Sequence, residues 1–136
     1  MRIVLDTNVL VSGLLSPFGA PGEIVRMASA GTLQVCYDAR ILSEYKNVLR
    51  RPKFSLDALL TEALLDQVKS CGHSVASKPL DKPLPDPNDE PFLEVAIAGK
   101  AVCLITGNLK HYPQASRQGV NVFPPSVFFG FYRSHK

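Results

Sequence analysis

The sequence is thin in the residues that build the commoner catalytic and structural frameworks. Only three cysteines occur, Cys36, Cys71 and Cys103, with no CxxC pair among them. An odd, widely spaced set supports neither a disulfide framework nor a zinc site. Cys36 and Cys103 sit in strand-like apolar runs and read as buried core thiols. Three histidines offer no constellation that competes for a catalytic role. No apolar stretch approaches the length of a membrane span. Asp6 and Asn8 interrupt the N-terminal apolar run, so no signal peptide is expected. Charge of one sign is scarce too: 15 Lys and Arg against 12 Asp and Glu leave a formal net charge of +3. So mild an excess permits contact with nucleic acid without arguing for it. These absences fit a bacterial-type cytoplasmic protein.

What is present suffices for a core. Hydrophobic residues make up 46% of 136, which predicts a single globular domain over residues 1–136. The stretch Ile3-Val4-Leu5-Asp6-Thr7-Asn8 organises the rest. Three apolar residues, rich in β-branched types, run straight into an aspartate. Such a run predicts a strand buried on both faces. An acid at its carboxyl end lies where open α/β sheets bind ligands. Taken alone, Asp6 serves equally well as a cap for a turn or helix.

Val9–Leu15 predicts a helical turn with Gly13 as its weak point, and Ser16–Gly22 is a loop by its proline and glycine content. A helix is expected over Gly22–Ala30, ended by Gly31, then a strand over Leu33–Tyr37. Asp38 is placed to cap a helix over Ala39–Arg50, and Ser55 the next one, whose stripe is Leu56, Leu59, Leu60, Ala63, Leu64 and Val68. A short strand over His73–Ser77 leads into a proline-rich loop, Lys78–Pro87. A helix starting at Asp89 or Glu90 tolerates Pro91 in its first turn. Strands over Ala101–Ile105 and Val120–Phe123 follow, then a short amphipathic helix from Pro125. Strands alternate with helices. The expected fold class is therefore α/β: a three-layer α/β/α sandwich around a mostly parallel, Rossmann-like sheet of about five strands.

Four positions converge in that arrangement. Asp6 ends the first strand, Asn108 follows the strand Ala101–Ile105, Asp89 opens a helix, and Glu44 lies inside another. Each has an ordinary reading, as turn, cap or solvated acid. Together, carboxylates at short range cannot all stay ionised without a counterion. A hard divalent cation resolves that conflict, and oxygen-only ligands suit Mg2+ or Mn2+.

The chain resembles a known family at these residues. Asp6-Thr7-Asn8-Val9-Leu10-Val11-Ser12 looks like the opening motif of PIN domains. Leu42-Ser43-Glu44-Tyr45 resembles the second acidic position, Asp86-Pro87-Asn88-Asp89-Glu90-Pro91-Phe92-Leu93 the third, and Leu104-Ile105-Thr106-Gly107-Asn108 the fourth. The set is most similar to the bacterial branch of VapC-like toxins from toxin–antitoxin pairs. The resemblance implies a PIN-like fold and a metal-dependent endoribonuclease using Mg2+ or Mn2+, with a protein antitoxin and a homodimer as partners. It implies Asp6, Asp89 and Glu44 as metal ligands, with Asn108 orienting water or a ligand. Thr7, Asn8, Ser12 and Thr106 would hold those groups in place.

The chain departs from the family at Asn108, where many members carry aspartate, and at Lys110, where a further acid is common. One negative charge fewer weakens cation binding. Basic residues for RNA are scattered: Arg50, Arg51, Lys53, Lys110, His111, Arg133, His135 and Lys136. Lys110, Arg50 and Arg51 are the candidates for phosphate contact. Arg50-Arg51 at a helix end also complements the helix dipole. His111 reads as a proton shuttle or a half-exposed structural histidine, Tyr112 as a base-stacking ring or packing beneath its loop. Phe128, Phe129 and Phe131 serve either the core or an interface. A haloacid-dehalogenase-like phosphatase also opens with a strand ending in aspartate, but it needs a second acid where Asn8 stands. A catalytically weak scaffold binding RNA or a protein is the alternative that Asn108 and Lys110 favour.

Overall fold

The computed structural model describes residues 1–135, so Lys136, counted above among the basic residues, lies outside it. Ile3, Val4 and Leu5 are fully buried, and the strand they form, β1 (Arg2–Leu5), is the middle of the sheet. On one side it pairs with β2 (Gln34–Tyr37), Ile3 opposite Val35. On the other it pairs with β4 (Cys103–Ile105), Ile3 opposite Cys103 and Leu5 opposite Ile105. β3 (His73–Ser74) extends the first side and β5 (Val122–Phe123) the second. The order is β3-β2-β1-β4-β5, and every pairing is parallel. The expected five strands are present. The outermost two are shorter than expected: β3 adds one more bond, from Val75 N–H to the Tyr37 carbonyl, before the proline-rich run begins.

Parallel neighbours need crossovers, and helices supply them. α1 (Thr7–Leu15) and α2 (Ala20–Ser29) link β1 to β2. α3 (Ala39–Leu49) and α4 (Ala58–Cys71) link β2 to β3. α5 (Glu90–Ala98) returns across the sheet to β4, and α6 (Pro125–His135) follows β5. Right-handed crossovers put helices on opposite faces when the direction of travel reverses. Accordingly α5 covers β1, β2 and β4, while α2 packs with α1, α4 and α6. This is an α/β fold, a parallel sheet between helical layers.

Several local expectations are refined. α1 starts at Thr7, two residues earlier than expected, because the Asp6 carbonyl already accepts from Val9 N–H at 3.0 Å. Gly13 is no weak point: a Cβ there would meet the Pro21 carbonyl and Val25, so its absence lets α1 and α2 cross closely. Asp38 caps α3 as expected, its Oδ1 accepting from Ile41 N–H at 3.0 Å. The cap of α4 is Asp57, not Ser55. Its carboxylate accepts from Leu59 and Leu60 N–H at 2.8 and 3.3 Å, while Ser55, at φ 49°, closes a 3-10 turn over Pro52–Phe54. Thr61, Leu64 and Val68 form the buried stripe of α4, whereas Leu59 and Leu60 are exposed. α6 runs eleven residues, and its Phe128 is buried with Phe129 and Phe131 packed against the core. Cys36 and Cys103 are buried core thiols, and burial pushes the Cys103 thiol up to about 12, far from a reactive range. Among the described residues no helix is long and apolar enough to cross a membrane.

Candidate active site

The sheet reverses its winding between β1 and β4, and a crevice opens at the carboxyl ends of such a pair. β1 delivers Asp6 there and β4 delivers Thr106. The ladder continues one step to align them, Asp6 N–H donating to the Ile105 carbonyl at 2.9 Å. Asp6 is 5% exposed and Thr106 fully buried. Asp6 Oδ2 accepts from Thr106 Oγ1 and from the Tyr112 hydroxyl, each at 3.0 Å. The Thr106 oxygen also accepts from Asn108 N–H at 3.1 Å and from Asn8 Nδ2 at 3.5 Å. A hydroxyl has one proton and two lone pairs, so all three are engaged. Asn8 Oδ1 in turn accepts from Gly107 N–H at 2.9 Å.

The next layer ties this hub to α3. Thr7 Oγ1 donates to Glu44 Oε2, and the buried Tyr45 hydroxyl donates to the Leu5 carbonyl at 2.6 Å. Asp89 arrives with α5, which packs against α3 through Tyr45 and Phe92. It ends a 3-10 turn over Pro87–Asp89 and stands at the start of α5, 8% exposed. Asp86 is occupied locally, accepting from Asn88 N–H. Asp89 Oδ2 is buried and accepts no hydrogen bond. His111 Nδ1 lies 3.0 Å from it, off the line a hydrogen bond requires, and becomes a counter-ion only when protonated.

The acids feel one another. Burial raises the pKa of Asp6, opposed by the bonds from Thr106 and Tyr112 and by the backbone N–H groups of Asn8 and Thr7. Burial also raises Glu44, with the Thr7 bond opposing and the charge of Asp6 adding. Asp89 is pushed up to about 6, first by burial, then by the charge of Asp6. His111 opposes that shift, and Asp86 and Glu44 reinforce it. Burial and the nearby carboxylates raise the Tyr112 hydroxyl, which keeps its proton and remains a donor.

A hard cation fits this chemistry. The donors are all oxygen, and one buried carboxylate oxygen has no partner. Yet among the described residues no group of three or more His, Cys, Asp and Glu stands ready around one ion.

The remaining expected residues are spread more widely. Asn108 joins the hub through its backbone N–H. Ser12 is exposed one turn further along α1, lining a shallow hollow of about 280 Å³ with Asn8, Gly107 and Ser126 rather than touching the acids. Lys110 is exposed on a 3-10 turn over Leu109–His111. Arg50, 3.6 Å from Glu62, and Arg51 line a groove of about 640 Å³ between α3 and α4, together with Lys46 and Lys69. Arg51 is also near enough to lower Glu44. Tyr112 packs beneath its loop, as expected, but its bond to Asp6 was not foreseen, nor was the approach of His111 to Asp89. No local spacing signals a contact between residues 106 positions apart.

A family model described as PIN domain matches residues 2–110, most of the chain and every acid of the crevice. No curated protein matches the chain.

Proposed function

The chain belongs to the PIN domain family, and on that premise we propose that it is a metal-dependent endoribonuclease. PIN domains are generally nucleases that use divalent metal ions. The observation that carries the reading is Asp89: a buried carboxylate facing the charge of Asp6, one oxygen of which accepts no hydrogen bond and has only His111 beside it. Asp6, Asp89 and Glu44 would hold Mg2+ or Mn2+. Such an ion lowers the pKa of water and offsets charge building on a scissile phosphate.

The chain's own residues supply the rest. Thr106 and Tyr112 both hold Asp6 Oδ2, leaving Oδ1 without a side-chain donor. Thr7 fixes one oxygen of Glu44, so the other is free to orient water. Asn8 and Thr106 set the Gly107-Asn108 turn, from which the Asn108 amide orients water or a substrate oxygen. Arg51, Arg50 and Lys110 would contact RNA phosphates, and the cations of the α3–α4 groove continue that path. Within this reading the protein is the toxin of a toxin–antitoxin pair, a cytoplasmic homodimer whose antitoxin covers the crevice. The four ordered motifs support the PIN-domain part of that assignment.

A second reading has one observation in its favour. With an amide at position 108 and a lysine at 110, a scaffold that binds RNA or a protein without cutting it is the competing function. RNA cleavage by purified protein with Mn2+ or Mg2+, with and without EDTA, separates the two. Cleavage lost in EDTA and in both Asp6→Asn and Asp89→Asn supports the nuclease. Cleavage that ignores either aspartate sinks it. RNA binding without cleavage, unchanged in Asp6→Asn, establishes the scaffold.

A further inference from the structure

We propose that Tyr112 is a positioning residue for Asp6, fixing the orientation of the carboxylate that would hold the cation. The inference rests on the metal-dependent reading above. Tyr112 stands beyond residue 110, where the family match ends, so that match assigns it no role.

The geometry is specific. Tyr112 is fully buried, and its hydroxyl donates to Asp6 Oδ2 at 3.0 Å. Its backbone is fastened from two sides: its N–H donates to the Leu109 carbonyl at 3.0 Å, and its carbonyl accepts from Arg117 Nε at 2.8 Å. The ring therefore has a fixed origin and a fixed target. Thr106 donates to the same oxygen from the sheet side. Two donors on one oxygen remove the carboxylate's freedom to turn about its terminal torsion, which is otherwise broad. A carboxylate so held offers its second oxygen in one direction. Partners of this kind, which touch a ligand rather than the metal, commonly change metal affinity or activity by about 10–100-fold when removed.

Tyr112→Phe removes the hydroxyl and leaves the ring. Mn2+ binding is measured by calorimetry for wild type, Tyr112→Phe and Asp6→Asn, with a thermal melt of each and steady-state cleavage of an RNA substrate. The expected result for Tyr112→Phe is about tenfold weaker Mn2+ binding and a similar loss in kcat, with KM for RNA unchanged. A lower melting temperature with unchanged Mn2+ affinity and kcat reduces the hydroxyl to a fold contact and overturns the proposal. If Asp6→Asn also leaves Mn2+ affinity unchanged, the metal reading falls with it. If Asp6→Asn abolishes binding while Tyr112→Phe does not alter it, the proposal alone falls. Should Tyr112→Phe fail to fold, 3-fluorotyrosine at position 112 preserves the shape while changing the donor strength. A shifted Mn2+ affinity then supports the proposal, and an unshifted one overturns it.

Discussion

Asp6 and Asp89 are buried to nearly the same degree, yet the two ends of the crevice are built on opposite plans. At the end of β1, two hydroxyls and the backbone of α1 support the Asp6 carboxylate. At the start of α5, one oxygen of Asp89 accepts nothing, and only His111 stands near. Burial raises both groups, and hydrogen bonds to the charged form pull back only the first. The difference lies in what opposes burial: donors to the charged form at Asp6, and at Asp89 only the neighbouring imidazole. One end is fixed, and the other waits for a proton or a cation.

The comparison breaks hardest at Thr106. Thr106→Val removes a donor from Asp6 and leaves Asn108 N–H without its acceptor, at a cost of about 2–3 kcal/mol in urea denaturation. Thr106→Ser keeps the hydroxyl and should cost less than about 1 kcal/mol. Equal costs would show that the hub does not support Asp6.

A pH series addresses the other end. Folding raises Asp89 from 3.8 to about 6, so in that window the native state holds a proton the unfolded chain has released. Its contribution to metal-free stability is therefore full below 3.8 and lost as pH rises through about 6. Asp6 and Glu44, also raised, act in the same direction. Asp89→Asn should flatten the slope, and Mg2+ at neutral pH should stabilise wild type more than this variant. A slope that survives the substitution would assign the titration elsewhere.

Two finer probes sharpen the contrast. Tyr45→Phe leaves the Leu5 carbonyl without its side-chain donor, at about 1 kcal/mol by calorimetry, while leaving the pH slope intact. Asn108→Asp adds charge to the crevice. Mn2+ titration should show binding tightened by about 0.5–1 kcal/mol, the scale of a part-exposed charge pair.

The layered fold and the strand ending in Asp6 were legible because both depend on local pattern: an apolar run, its terminal acid and the alternation of periods. Asp38 was legible as a cap for the same reason. Asp57 was not preferred over Ser55, although its carboxylate was visible two residues on. Deciding between them required knowing that Pro52–Phe54 forms a turn that draws Ser55 into a left-handed conformation. Ser12 belongs to the family-like opening motif and lies one turn beyond Asn8 on α1, exposed in the hollow the two share with Gly107. Tyr112 and His111 were invisible as partners of the acids. Their contacts are made by a loop closing across the sheet, and nothing within a few residues of either encodes the far end.

That long reach has a consequence for synthesis. Asp6 is made 106 positions before its tyrosine partner. A chain emerging from the ribosome N-terminus first cannot assemble the crevice early: β1 must wait for β4, Thr106 and the loop beyond it. At about 5–20 residues per second, the acid spends several seconds without its sheet neighbour or its donors. The topology therefore acts as a timer. The crevice is complete only once β4 and the loop that carries Tyr112 have been built.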